Sequence, residues 1–353
     1  MLMHDDERTP QEWFHERATH YVEAQVLFHL NQVGVFTEML ESGPISAGLL
    51  AERLGVLPSI LEVLLDYIAG VDRLLVRDHE GRFLLTEFGR AVLDRFGRSE
   101  GGGRRLNLFD VRVGAYGPVW AALEGMLKGE LVYGKDVVRN GQHAAEATYK
   151  ISPHLSPSVV RFASDNRIER LVEIGVPTGL LAQLADELPA VDLVGLDIKP
   201  AALEEARSRA SACGVERIRF VQGDIFAPES WRREVAGTAR GAFVTLHMHE
   251  LAAAGLDAIE QLLRTLGQQF PGWYLFALEQ DRLPDSDRAQ LPSDLWLYSM
   301  SNILIHHLIE NAKILPRQGW LATYRAGSAR VHSVQAVGYL GYHGYVVELG
   351  GLS

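Results

Sequence analysis

Residues 171–179 read LVEIGVPTG: an apolar run with one interior acid, ending in a turn bracketed by Gly175 and Gly179. A short apolar run closed by glycine reads as a buried strand. The stretches that follow repeat the theme. LLAQLADEL reads as a helix, VDLVGLDI as a strand, AALEEARSRASACG as a helix and IRFVQGDI as a strand. GAFVTLHMH is a further strand, LDAIEQLLRTLGQQF a helix and WYLFALEQD a strand, while RVHSVQAV and GYVVEL form a closing hairpin. Near-continuous apolar strands alternating with amphipathic helices predict a doubly wound, Rossmann-like, mostly parallel α/β sheet covered on both faces.

Upstream the pattern changes. Residues 12–40 read as one amphipathic helix, with Val22, Val26, Leu27 and Leu30 interleaved with polar positions. Next comes a helix, a turn at Gly55, a second helix from about Ser59, and a hairpin LLVRD/RFLLT turning through His79, Glu80 and Gly81. That order is a winged-helix arrangement in a mainly helical domain. The glycine-rich stretch RSEGGGRRLN (98–107) is a break, and the expected domains are 1–160 and 161–353.

Composition narrows the partners. Apolar residues make up 47% and charged residues 22%, an ordinary globular balance, and the formal net charge is −11. An acidic chain lacks the basic footprint that nucleic acid or an anionic membrane needs. The second helix of the winged-helix region, PSILEVLLDYIAGV, holds no Lys or Arg to meet phosphate. No apolar run approaches the ~18 residues of a spanning helix, and the N-terminus shows no apolar signal segment. The single cysteine, Cys213, excludes an internal disulfide and fits a reducing cytoplasm. The expectation is a cytoplasmic protein with a small-molecule substrate.

In an open parallel sheet a ligand binds beyond the carboxyl ends of the strands, where the strand order reverses. Three features converge there. Gly175 and Gly179 bracket the first turn. Asp197 ends the next strand, about 22 residues after Gly175, the distance at which an acid reaches a ribose hydroxyl pair. Asp224 ends the third strand in VQGDIF, placed to face an adenine edge. The run G-V-P-T-G lacks the central glycine of a dinucleotide loop, so a pyrophosphate cofactor is disfavoured.

The winged-helix front, the E-I-G-x-x-x-G turn, the acid of the second strand and the G-D of the third together resemble class I S-adenosylmethionine methyltransferases. More narrowly, they resemble the small-molecule group whose N-terminal domain dimerises, a likeness over nearly the whole chain. The resemblance implies S-adenosylmethionine as cofactor and a homodimer. Glu173 and Gly175 would contact its methionine end, Asp197 the ribose, and Asp224 and Ile225 the adenine. Val176-Pro177 departs from the family's usual small residues, and Pro177 removes a backbone donor.

The fourth strand runs into HMHELAAAGLDAIEQLL, where these enzymes show a histidine followed by an acid; His249-Glu250 matches best and His247 competes. A later apolar helix holds His306 and His307, which point about 100° apart on a regular helix and so do not easily share a site. The chain further resembles the metal-dependent 2-oxo acid C-methyltransferases of the phenylpyruvate and 2-ketoarginine methyltransferase type. That likeness implies one divalent or ferric metal ion held by His249, Glu250 and His307, with His307 preferred over His306. The reaction implied is methylation at C3 of a 2-oxo acid. Two alternatives stay open: a metal-free O-methyltransferase with His249 (or His247) as general base, and reuse of the fold for cofactor cyclisation or a pericyclic reaction. Glu279, ending YLFALEQ, lies close to either site without an assigned role.

Overall fold

The computed structural model describes residues 9–96, 109–176, 179–237, 240–284, 286, 291–309, 312–337 and 341–351. The glycine-rich stretch 98–107 and Pro177 of the unusual turn lie outside the described residues. The chain divides into two compact units, Met1–Lys150 and Ile151–Ser353, and the boundary falls within the helix Gly141–Asp165.

The first unit opens with α1 (Pro10–Gln32), started by a capping box in which Thr9 and Glu12 satisfy each other's backbone donors. The single helix expected over 12–40 is in fact two. Gly34 takes φ +89°, a left-handed conformation that ends α1 and admits α2 (Val35–Ser42) in a new direction. Then come α3 (Ala47–Leu54), closed by Gly55, and α4 (Pro58–Val71), opened by Pro58 in its first turn. The antiparallel hairpin β1 (Leu75–Arg77) and β2 (Phe83–Leu85) follows, then α5 (Glu87–Phe96). Phe36, Met39, Leu50, Leu65, Ile68, Leu75 and Phe83 form a common buried core, which is why helix, turn, helix and hairpin hold together. A π-helical segment, Asp110–Ala115, follows later in this unit.

The second unit is a seven-stranded sheet ordered β5-β4-β3-β6-β7-β9-β8. Its strands are β3 (Arg170–Ile174), β4 (Asp192–Asp197), β5 (Arg219–Gln222), β6 (Gly241–Thr245), β7 (Tyr274–Gln280), β8 (Arg330–Ala336) and β9 (Tyr342–Glu348). β3 through β7 pair in parallel, and β9 returns antiparallel between β7 and β8, as the closing hairpin predicted. The strand order reverses at β3, which has β4 on one side and β6 on the other.

Side chains alternate across the sheet, so each strand feeds two cores. One face buries Val172, Ile174, Phe243, Leu275, Ala277 and Tyr345 against the helices Leu256–Gln269 and Arg317–Ala326. The other buries Leu171, Val244, Phe276 and Leu278 against the helices Leu180–Glu187 and Gly141–Asp165. There Phe162 stacks on Phe276 with ring centroids 4.6 Å apart, a contact worth about 0.5–1.5 kcal/mol beyond its buried area. Among the described residues no helix is long and apolar enough to cross a membrane.

Candidate functional site

The carboxyl ends of β3, β4 and β6 meet where the order reverses. Gly175 leaves β3 with φ +81°, and its N–H donates to the Leu196 carbonyl at 2.9 Å. A side chain has no room there: a Cβ on Gly175 would lie 2.6 Å from Cδ2 of His247, which covers the turn from the end of β6. The next residue, Val176, is buried against Leu203 and Ala206, and its N–H donates to Asp197 Oδ2 at 3.3 Å. Asp197 Oδ1 in turn accepts from Lys199 N–H at 2.8 Å. One half-buried carboxylate thus ties the glycine turn to the end of β4. Gly179 precedes the helix Leu180–Glu187 with φ +71°.

Glu173 is almost fully buried on the face that carries Leu180–Glu187 and accepts the Leu181 N–H. Burial pushes its carboxyl well above the usual range; the Leu181 bond opposes this and the Asp197 charge adds to it. A carboxyl whose folded pKa is raised stabilises the fold fully below its unfolded pKa. That contribution is lost as pH rises through the folded value. Glu173→Gln keeps an acceptor for Leu181 without the proton dependence. Its urea midpoint is therefore expected to fall less than that of the wild type between about pH 5 and about pH 8. Parallel curves would show that Glu173 is not the group responsible.

Asp224 stands past the last residue of β5, Gln222, rather than ending the strand as expected. Its Oδ1 accepts from Phe226 N–H at 2.9 Å, and its carbonyl accepts from the Trp231 indole at 2.7 Å. Ile225, expected beside the adenine, is buried in the core formed by Val221, Trp231 and Val235. Its apolar side chain follows the burial pattern of this loop.

The second cluster lies beyond β6. The short helix Met248–Leu251 is docked by Glu279, the buried acid near the end of β7. Glu279 Oε1 accepts from Met248 N–H at 2.8 Å, and Oε2 lies 2.7 Å from His249 Nδ1. A carboxylate accepting on both oxygens makes Nδ1 the donor and leaves Nε2 as the ring's other nitrogen for a ligand. His249, Glu250 and His306 each offer a ligand atom, and these atoms all lie within 4.8 Å of one another. The rings of His249 and His306 meet edge to face with centroids 4.5 Å apart. His247 is not in this group; its Nδ1 lies 3.8 Å from Glu250 on the Gly175 side.

His307, preferred from the sequence, is not in the group either. Its Nε2 accepts the Ile314 N–H at 2.7 Å and so fastens the segment after the helix. Burial, the largest cause, holds its pKa below the usual value. The segment Leu304–Ile309 is a π-helix, whose turn holds one residue more than an α turn. The preference for His307 came from the family resemblance, which a local π turn can offset by a residue. Lys313 N–H donates to the His249 carbonyl at 2.9 Å and Ala312 N–H to that of His306 at 2.7 Å, locking both histidines to one short strip.

The donor set suits a transition-metal cation. Two imidazoles and a carboxylate are the ligands of an open facial triad. Atoms within 4.8 Å of one another need small rotamer changes to meet one ion at about 2.0–2.2 Å. The carboxylate behind His249 is the outer partner that metal-bound histidines keep.

Residues 171–268 match the family model described as a methyltransferase domain. A stretch of 59 residues is 39% identical to the release factor glutamine methyltransferase of Vibrio cholerae serotype O1, covering 16% of this chain and 21% of that protein. Among solved structures, PigF with SAH has a TM-score of 0.70 at 18% identity, over 97% of this chain and 100% of that one. Human N-acetylserotonin methyltransferase in complex with SAM has a TM-score of 0.67 at 17% identity, over 99% and 100%. The mitomycin 7-O-methyltransferase MmcR has a TM-score of 0.63 at 17% identity, over 96% and 97%. At these identities the likeness is one of fold. The second unit carries a methyltransferase domain over residues 171–268 and has the class I S-adenosylmethionine-dependent methyltransferase fold.

Proposed function

We propose that the chain is an S-adenosylmethionine-dependent methyltransferase that methylates C3 of a 2-oxo acid, with one divalent or ferric ion held by His249, Glu250 and His306. The observation that carries this reading is the convergence of those three ligand atoms beside the switch point, with a buried carboxylate behind one of them. The cofactor turn is Glu173, Gly175, Gly179 and Asp197, and S-adenosylmethionine supplies an electrophilic methyl on its sulfonium. The metal, when bound, supplies a Lewis acid for a substrate oxygen. C3 would give up a proton to solvent water, and its electron pair would form the new bond to the methyl carbon. The methyl–sulfur bond breaks and S-adenosylhomocysteine leaves. Glu279 keeps His249 in one tautomer and orientation throughout.

The test is metal content of the untagged protein, together with transfer of labelled methyl from S-adenosylmethionine across a panel of 2-oxo acids. Stoichiometric metal and a C3-methylated product are expected. Metal-free protein that methylates phenols or alcohols would overturn the reading. It would favour the second one, O-methylation with His249 as general base, which the 2.7 Å His249–Glu279 pair supports. The names of several structural neighbours, O-methyltransferases, point the same way.

For the first unit we propose a winged-helix module that forms a homodimer. Support comes from α1, which exposes Trp13, Phe14, Tyr21 and Val22, large apolar side chains that a partner surface would cover.

A further inference from the structure

The last two residues of β7 point to opposite faces of the sheet and hold different helices. Glu279, on the face of Ala277, holds the helix Met248–Leu251 through the Met248 N–H and His249. Gln280, on the face of Leu278 and opposite Tyr342 of β9, is almost fully buried. Its Oε1 accepts from Nδ2 of Asn302 at 2.7 Å. Asn302 is buried as well, and is the last residue but one of the helix Ser293–Ile303.

His306 follows four residues later, about one turn on, inside the π-helical segment Leu304–Ile309. The contacts close a ring. Gln280 bonds Asn302, and one turn leads to His306, whose ring lies 4.5 Å from that of His249 between centroids. His249 lies 2.7 Å from Glu279, and one peptide bond returns to Gln280. A buried amide pair is costly unless bonded, and its bond is directional, whereas the apolar packing around it is not. The pair therefore fixes the register of the helix on β7, which apolar contacts alone would let slide. The wider turn begins at Leu304, two residues past this anchor, so its extra residue is taken up beyond Asn302, on the way to His306. Ala312 and Lys313 hold the two histidines by their backbone carbonyls and do not fix where the preceding helix stands.

We infer that Asn302 and Gln280 are positioning residues: their hydrogen bond sets the helix Ser293–Ile303 on β7 and so brings His306 to His249 at the candidate metal site. The importance of that placement rests on the metal reading proposed above. The placement itself is tested without an ion.

The test is Asn302→Leu, which keeps the side chain's size and removes the bond. Gln280→Met breaks the same bond from the strand and serves where the first variant does not fold. A double variant, Asn302→Gln with Gln280→Asn, rebuilds an amide pair over the same total length. The first readout, on metal-free protein, is the carbon-bound imidazole protons of His249 and His306, assigned by their disappearance in His249→Ala and His306→Ala. Rings that meet edge to face shift each other's protons, so these resonances are expected to move in the single variants and to return in the exchanged pair. Cobalt(II), the probe for the metal site, is expected to bind the single variants about 10-fold more weakly, with an altered visible spectrum, as loss of an outer partner does. A bond that only stabilises the fold would lower the thermal midpoint and leave the resonances and the cobalt spectrum of the folded variants as in the wild type. That result overturns the inference, as do resonances that the exchanged pair does not restore. Resonances that move and return, in a protein whose wild type binds no cobalt(II), uphold the positioning role and overturn the metal reading instead.

Discussion

His306→Ala is expected to lower methyl transfer by at least about 100-fold and to abolish stoichiometric metal, since loss of an outer partner already costs about 10–100-fold and loss of a ligand costs no less. His307→Ala is expected to retain the metal and most activity. The two residues are adjacent on a π-helix, yet only His306 brings a ligand atom within 4.8 Å of those of His249 and Glu250. His307 holds the Ile314 N–H, so its loss loosens the segment beyond the helix. That loss exposes one half-buried donor, a cost of about 1–3 kcal/mol in stability. Metal content, kcat/KM and the thermal midpoint of both variants make the comparison. The reverse pattern, with metal lost in His307→Ala and kept in His306→Ala, would move the site to the residue that the family resemblance favours.

That pair shows where a sequence stops being legible. The sheet was readable because β3, β4, β6 and β7 are buried on both faces, and burial leaves near-continuous apolar runs such as GAFV and YLFAL. The closing hairpin was readable for the same reason on its inner strand, β9. The π turn was not, because nothing in LIHHLI distinguishes it from an α turn: the extra residue comes from backbone hydrogen bonding. The break at Gly34 was missed because apolar residues continue on both sides of it, so periodicity alone saw one helix. Asp224 was expected to end β5, which stops at Gln222, and Ile225, carried over from the family resemblance, is buried in the core beside it. Glu279 could have been given its role from strand parity. It shares a face with Leu275 and Ala277, and an acid on a buried face needs a partner such as an imidazole.

Gly175→Ala is expected to weaken binding of S-adenosylhomocysteine by about 10-fold or more and to lower stability by about 1–3 kcal/mol. Two separate costs act. The backbone sits at φ +81°, where an L side chain pays about 1–2 kcal/mol. The new Cβ would also lie 2.6 Å from Cδ2 of His247, so the imidazole must move. Movement of either residue is transmitted to the turn that Asp197 holds through the Val176 N–H, which is the surface proposed for the cofactor. The costs separate in a double-mutant cycle. His247→Ala in the Gly175→Ala background removes the clash and is expected to recover part of the stability, leaving the backbone cost. Calorimetric titration with S-adenosylhomocysteine and urea denaturation of the two single variants and the double variant give the four corners with the wild type. If binding is undiminished in Gly175→Ala while stability falls, the turn is structural and the cofactor lies elsewhere along the sheet edge. If both fall and the double variant recovers stability but not binding, the approach of the backbone at Gly175 is what the cofactor requires.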